Sequence, residues 1–101
     1  MPSFSTSVVH RLGRDEAQKR LHSLMQRMRV EQAHMLQDMR SEWNENILTF
    51  AFRSMGMAIE GTMRVEEVEV ITSGSLPLAA AFFRGKIEQT IRDEMAKALH
   101  S

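Results

Sequence analysis

The side chains able to do chemistry are four histidines, thirteen carboxylates and a scatter of hydroxyls, with no cysteine and no tyrosine. His10, His22, His34 and His100 never pair at the spacing of two, three or four that sets two ligands side by side. No HExxH or His–carboxylate cluster accompanies them, so neither a metal nor another cofactor is expected. His22 and His34 flank an apolar stripe and read as solvated helix residues. The lack of cysteine removes thiolate ligands, thiol nucleophiles and disulfides, and fits a reducing cytoplasmic location. GxSxG, GxGxxG and the P-loop are missing, and Ser73-Gly74-Ser75 has no general base beside it in sequence. Glu60, Glu66, Glu67 and Glu69 are explained as residues on a solvated strand face. No catalytic constellation emerges, and the chain reads as non-enzymatic.

Cations give a weaker signal. Arg20, Arg27 and His34 recur every seven residues and would form a basic line on one helix. Such a line is ordinarily a solvated face; phosphate contact is the other reading. Thirteen basic side chains balance thirteen acidic ones, which argues against bulk nucleic-acid affinity. The charge is segregated all the same. Residues 1–40 carry seven basic and four acidic side chains, residues 41–76 two and six, and residues 77–101 four and three.

The elements that must position these residues follow from periodicity. At 101 residues, 43% hydrophobic and 26% charged, the chain fits one globular domain over 1–101. No apolar run approaches the roughly 20 residues of a membrane-spanning helix, and no positive-then-apolar leader is expected. Residues 3–9 read as a strand with Phe4, Thr6 and Val8 on one face. From Arg14 to Arg40 there is no Gly or Pro. Ala17, Leu21, Leu24, Met28, Met35 and Met39 form a stripe there, which predicts one long helix.

Residues 41–46 read as a connection, followed by strands over 47–53, 57–65 and 68–72 joined by tight turns. Ser73–Pro77 closes the sheet, with Ser75 as a helix cap and Pro77 in the first turn. Phe83, Ile87, Ile91, Met95 and Leu99 then mark the buried face of a final helix. The expected fold is α+β: a β-α-β-β-β-α two-layer sandwich. Its four-stranded, largely antiparallel sheet carries a long N-terminal and a C-terminal helix on one face.

Two apolar features exceed what such a sandwich hides. A 27-residue helix would be about 40 Å long, whereas a seven-residue strand spans about 23 Å. Either the helix ends near Val30–Ala33 and the rest folds back, or the overhang packs on a second copy. Flexible methionines suit the latter, giving an expected homodimer interface at Met35, Leu36 and Met39. Leu78 and Phe82 form an i,i+4 pair on the side of the last helix opposite Ile87. They are covered by a loop or the long helix, or they are a contact for a partner, a granule surface or an apolar ligand.

Taken in order, several segments resemble a bacterial family of polyhydroxyalkanoic acid system, or granule-region, proteins. They are His10-Arg-Leu-Gly13 with Glu16-Ala17, Trp43 leading into Leu48-Thr-Phe50, and Gly56 and Gly61 with Val65. Leu76-Pro-Leu78 and Phe83-Arg-Gly-Lys-Ile-Glu88 followed by Ile91 complete the series. The resemblance implies association with polyhydroxyalkanoate granules or metabolism through protein or granule-surface contacts, and carries over no catalytic residue. The alternative from another class is a nucleic-acid-binding module with the topology of a double-stranded RNA-binding domain. A small-molecule carrier or enzyme with an apolar cavity between sheet and helices ranks last, because about 100 residues leave little volume beyond the core. Packing also accounts for the glycines: Gly56 permits a hairpin turn, Gly61 a close approach or a strand twist, and Gly85, inside the last helix, a close approach to the sheet or a bend in the segment that presents Leu78 and Phe82.

Overall fold

In the computed structural model, which describes residues 2–100, the order is β1 (Ser3–Val9), α1 (Arg14–Glu31), β2 (Gln37–Asn44), β3 (Ile47–Ser54), β4 (Met57–Val65) and β5 (Glu69–Ser75). A 3-10 helix (Leu78–Phe83) then leads directly into α2 (Arg84–His100). The strands form one antiparallel sheet in the order β1-β5-β4-β3-β2. Both helices pack on one face: Leu21 and Leu24 of α1 and Met95 and Leu99 of α2 meet Val8, Leu48, Met63, Val65 and Val70 in one core cluster. The α+β class is as expected, but the sheet has five strands rather than four.

The fifth strand is β2, taken from the end of the expected long helix and the expected connection. α1 stops at Glu31, where the Gln32 N–H bonds to the Met28 carbonyl at 2.9 Å. The Met35 and Leu36 N–H groups then turn back onto the Gln32 carbonyl at 3.0 and 2.8 Å. Beyond the turn the period changes from helical to two. Trp43 pairs with Leu48 and Ser41 with Phe50, which puts Met39, Ser41 and Trp43 on the helix side while Arg40, Glu42 and Asn44 are exposed. This segment is poor in strand formers, so pairing with β3 and not local preference makes it a strand. A bulge between Gln37 and Arg40, with Asp38 at φ 53°, starts it.

The length conflict disappears with this change. An 18-residue helix is about 27 Å long, and an eight-residue strand such as β3 spans about 27 Å. Nothing overhangs.

Two glycines sit at the centre of the sheet. On the helix side, register aligns Phe4, Gly74, Gly61 and Phe50 across β1, β5, β4 and β3. A Cβ on Gly74 would lie 2.7 Å from the Phe4 ring and against the Glu60 carbonyl. One on Gly61 would meet the Ser73 carbonyl, with the Phe50 ring at 3.1 Å. Two rings therefore lie over bare backbone, and the strands approach as only glycine allows. Met55 and Gly56, at φ 54° and 79°, form the tight β3–β4 turn. Ser73–Ser75 belong to β5, and the 3-10 helix follows Pro77 without a side-chain cap, so the expected Ser75 cap does not form.

α2 is tied to the β1 edge of the sheet. The Ser5 N–H donates to Glu88 Oε2 at 2.8 Å, Arg92 Nε donates to Thr6 Oγ1 at 3.0 Å, and His100 Nε2 lies 2.9 Å from the Val9 carbonyl. Gly85 has open space where its Cβ would stand, so it makes no close approach to the sheet.

Opposite stability effects are expected at two of the glycines. Gly74→Ala should lower unfolding free energy by about 1–3 kcal/mol through overpacking. Gly85→Ala should raise it by up to about 1 kcal/mol through helix propensity. Urea denaturation of the two variants checks both signs.

Candidate functional site: an apolar groove and an exposed apolar spot

α2 is held at the β1 edge, and α1 reaches the β2 side, where Arg29 Nη2 donates to Ser41 Oγ at 2.7 Å and Gln18 Nε2 donates to the Glu45 carbonyl at 2.8 Å. Between the two helices, over β3 and β4, the structure opens into a groove of about 270 Å³. Leu24, Met25 and Met28 of α1 form one wall, and Ile87 and Ile91 of α2 the other. Phe50, Phe52, Ile59 and Met63 supply the floor, and Met35, Leu36 and Met39 close the flank. The rings of Phe50 and Phe52 are stacked, with centroids 6.3 Å apart.

The groove's polar residues are few: Ser54, Thr72, Lys86, Thr90 and Glu94. Thr72 is buried, and its hydroxyl donates to the Met95 sulfur at 3.1 Å. Glu94 is paired with Lys97 at 3.8 Å. Among the described residues, Lys86 takes part in none of the ion pairs.

Met35, Leu36 and Met39 are thus drawn together, but not on an overhanging helix. They stand on the turn and edge strand that wall the groove, so the geometric reason for assigning them to a second copy is absent. The apolar cavity that ranked last from chain length is present. Its residues were visible as a methionine-rich stripe, but the reversal at Gln32 that folds the stripe over β3 was not.

Leu78 and Phe82 face solvent, 79% and 96% exposed, while Ala80 between them is buried and anchors the 3-10 turn. Phe83, expected on the buried face, is 55% exposed. The 3-10 winding before Arg84 takes it out of line with Met95 and Leu99. The outcome is an uncharged, six-residue Leu-Ala-Ala-Ala-Phe-Phe segment with three large apolar side chains in water.

The expected basic line is broken, because His34 lies past the end of α1. Arg20 and Arg27 instead border an open cleft between the helices with Lys19, Lys97 and the carboxylate of Glu16. Arg20 acts as a clamp there. Its Nε donates to Glu16 Oε2 at 3.2 Å, and its Nη1 to the Leu99 carbonyl at 3.4 Å.

The histidines have structural places. His10 is buried; its Nδ1 accepts the Leu12 N–H at 3.2 Å, which leaves Nε2–H to donate to the Glu66 carbonyl at 3.1 Å. Glu66 pairs with Arg64 at 2.8 Å and Arg14 at 3.5 Å. Among the described residues, no three His, Asp or Glu side chains are grouped as they would be to hold a metal, and no helix is long and apolar enough to cross a membrane.

A small two-layer α+β protein with an open apolar groove and an exposed apolar turn is what the geometry defines. The profile of the family described as "Putative polyhydroxyalkanoic acid system protein" matches residues 5–99, and the chain belongs to that family. No curated protein and no solved structure matches the chain.

Groove residues and core residues should separate in stability measurements. Leu21→Ala, in the fully buried core, should cost about 2–5 kcal/mol. Met35→Ala, 46% exposed at the groove flank, should cost under about 1 kcal/mol. Chemical denaturation of both variants provides the comparison.

Proposed function

We propose that this chain is a non-enzymatic member of the polyhydroxyalkanoate system that works by apolar contact with the granule surface or its coat. The observation that carries the reading is the exposure of Leu78 and Phe82 in a chain whose family is described by that polymer system. Water gains nothing from three large apolar side chains on one short turn, whereas an apolar polyester surface would take them up. Burying Phe82 and Leu78 is worth roughly 1.5–3 kcal/mol each, enough for reversible adsorption and not for permanent attachment. Ala80 fixes the turn from below, so contact needs no refolding of the segment.

Granule fractionation of the wild type beside a Leu78→Ser, Phe82→Ser variant tests the reading. Both side chains are exposed, so the variant should keep its circular dichroism spectrum and thermal midpoint. Its granule-bound fraction should fall about tenfold or more, the factor that corresponds to losing roughly 1.4 kcal/mol or more of contact. Equal partition of the two proteins would remove the proposed surface.

A further inference from the structure

We propose that the groove between α1, α2 and β3 is a binding site for a single-chain alkanoate, with the carboxylate at Lys86 and the alkyl chain along the methionines. The inference is independent of the granule contact, which uses the 3-10 turn.

Four observations converge on this chemistry. The walls and floor are side chains of Met, Leu, Ile and Phe, so the body of the occupant is apolar. The groove's one uncompensated charge is Lys86, since Glu94 is engaged by Lys97 and no described carboxylate pairs with Lys86. Lys86 and Glu94 stand eight residues apart on α2, about 12 Å along the axis. An anionic head group at Lys86 therefore lies far from the groove's only carboxylate. Finally, the groove's roughly 270 Å³ lies below the about 300–1,000 Å³ usual for sites that take drug-sized ligands, which fits one short alkyl chain.

A second protein's helix is a poorer fit. A helix is about 10–12 Å thick with its side chains, so one turn of about 5.4 Å fills roughly 420 Å³, more than the groove's roughly 270 Å³. A neutral oil would leave Lys86 unused. An amphiphile with one anionic end uses every wall. Ser54 and Thr90, which also border the groove, offer hydroxyls to a carboxylate or to a hydroxyl on the chain. The methionine walls, unbranched and flexible, close over an alkyl chain without a fixed shape.

Isothermal titration calorimetry with hexanoate, octanoate, decanoate, dodecanoate and the neutral analogue decanol tests the proposal. Decanoate should bind with a dissociation constant below about 1 mM. Affinity should rise about fourfold per methylene up to about ten carbons, then flatten as the groove is filled. Lys86→Met keeps the side chain's apolar stem, and Lys86 is exposed, so the fold should survive. That variant should lose about fivefold in decanoate affinity, the scale of an exposed ion pair, with no loss for decanol. Met28→Trp, which fills the groove, should abolish binding of both while leaving Lys86 in place. The proposal is overturned by no heat with any ligand, or by equal decanoate affinity in Lys86→Met and wild type. Affinity that keeps climbing through dodecanoate and survives Met28→Trp would also overturn it, since it marks adsorption outside the groove. The Leu78→Ser, Phe82→Ser variant should bind decanoate normally, and its failure to do so would place the site on the turn instead.

Discussion

The tie between α2 and the β1 edge sets the rest of this structure. An edge strand leaves backbone N–H and carbonyl groups unpaired, and here Glu88, Arg92 and His100 of α2 engage β1 at Ser5, Thr6 and Val9. This fixes α2 laterally, and α1 packs beside it. α1 in turn is held to the far side of the sheet by Arg29 on Ser41 and Gln18 on the Glu45 carbonyl. The uncovered apolar surface lies between the two helices, over β3 and β4. The C-terminal Phe83-Arg-Gly-Lys-Ile-Glu88 segment gains a physical reading from this. Glu88 holds the edge, Ile87 and Lys86 border the groove, and Phe83 faces the solvent beside it.

The sheet contributes a second constraint. The paired Gly61 and Gly74 flatten the middle of the helix-facing surface, and Phe4 and Phe50 lean over them from either side. Phe4 thereby seals the β1 half together with Leu76 and Ala80. Phe50, on the other half, joins Phe52 and becomes the groove floor. Both rings belong to one buried cluster with Ile59, Leu76 and Ala80, which continues under the groove through Phe52, Ile87 and Ile91.

Surplus apolar surface was legible in the residues; its location was only half so. Leu78 and Phe82 stood on the wrong side of a helical wheel, and they are exposed, because a pair opposite the buried face has nothing to pack against unless another segment reaches over it. Met35, Leu36 and Met39 gave the opposite lesson. Their spacings fit a continuing helix, yet the same residues fit a turn followed by a strand with period two. No Gly or Pro marks the reversal at Gln32, and in the strand that follows only Met39 and Trp43 are apolar among Gln, Asp, Arg, Ser, Glu and Asn. Lys86 gave no sign beyond its place in the Phe83-Arg-Gly-Lys-Ile-Glu88 segment, since a lysine on a helix is ordinarily solvated.

Composition and local pattern therefore determined the fold class of the protein: a β-branched run marked β1, a run apolar on both faces marked β3, alternation marked β4, and the period of 3.6 marked the first turns of α1 and the body of α2. Those signals are local, because side-chain direction follows from backbone geometry within a few residues. The tertiary structure alone decided where α1 ends, that β2 exists, and that methionines distant in sequence line one trough with Lys86 at its rim. Each of these depends on a pairing partner elsewhere in the chain. β2 is a strand because β3 offers it a hydrogen-bonding edge, and the groove opens between the helices because polar contacts hold α2 to β1 while others hold α1 to β2.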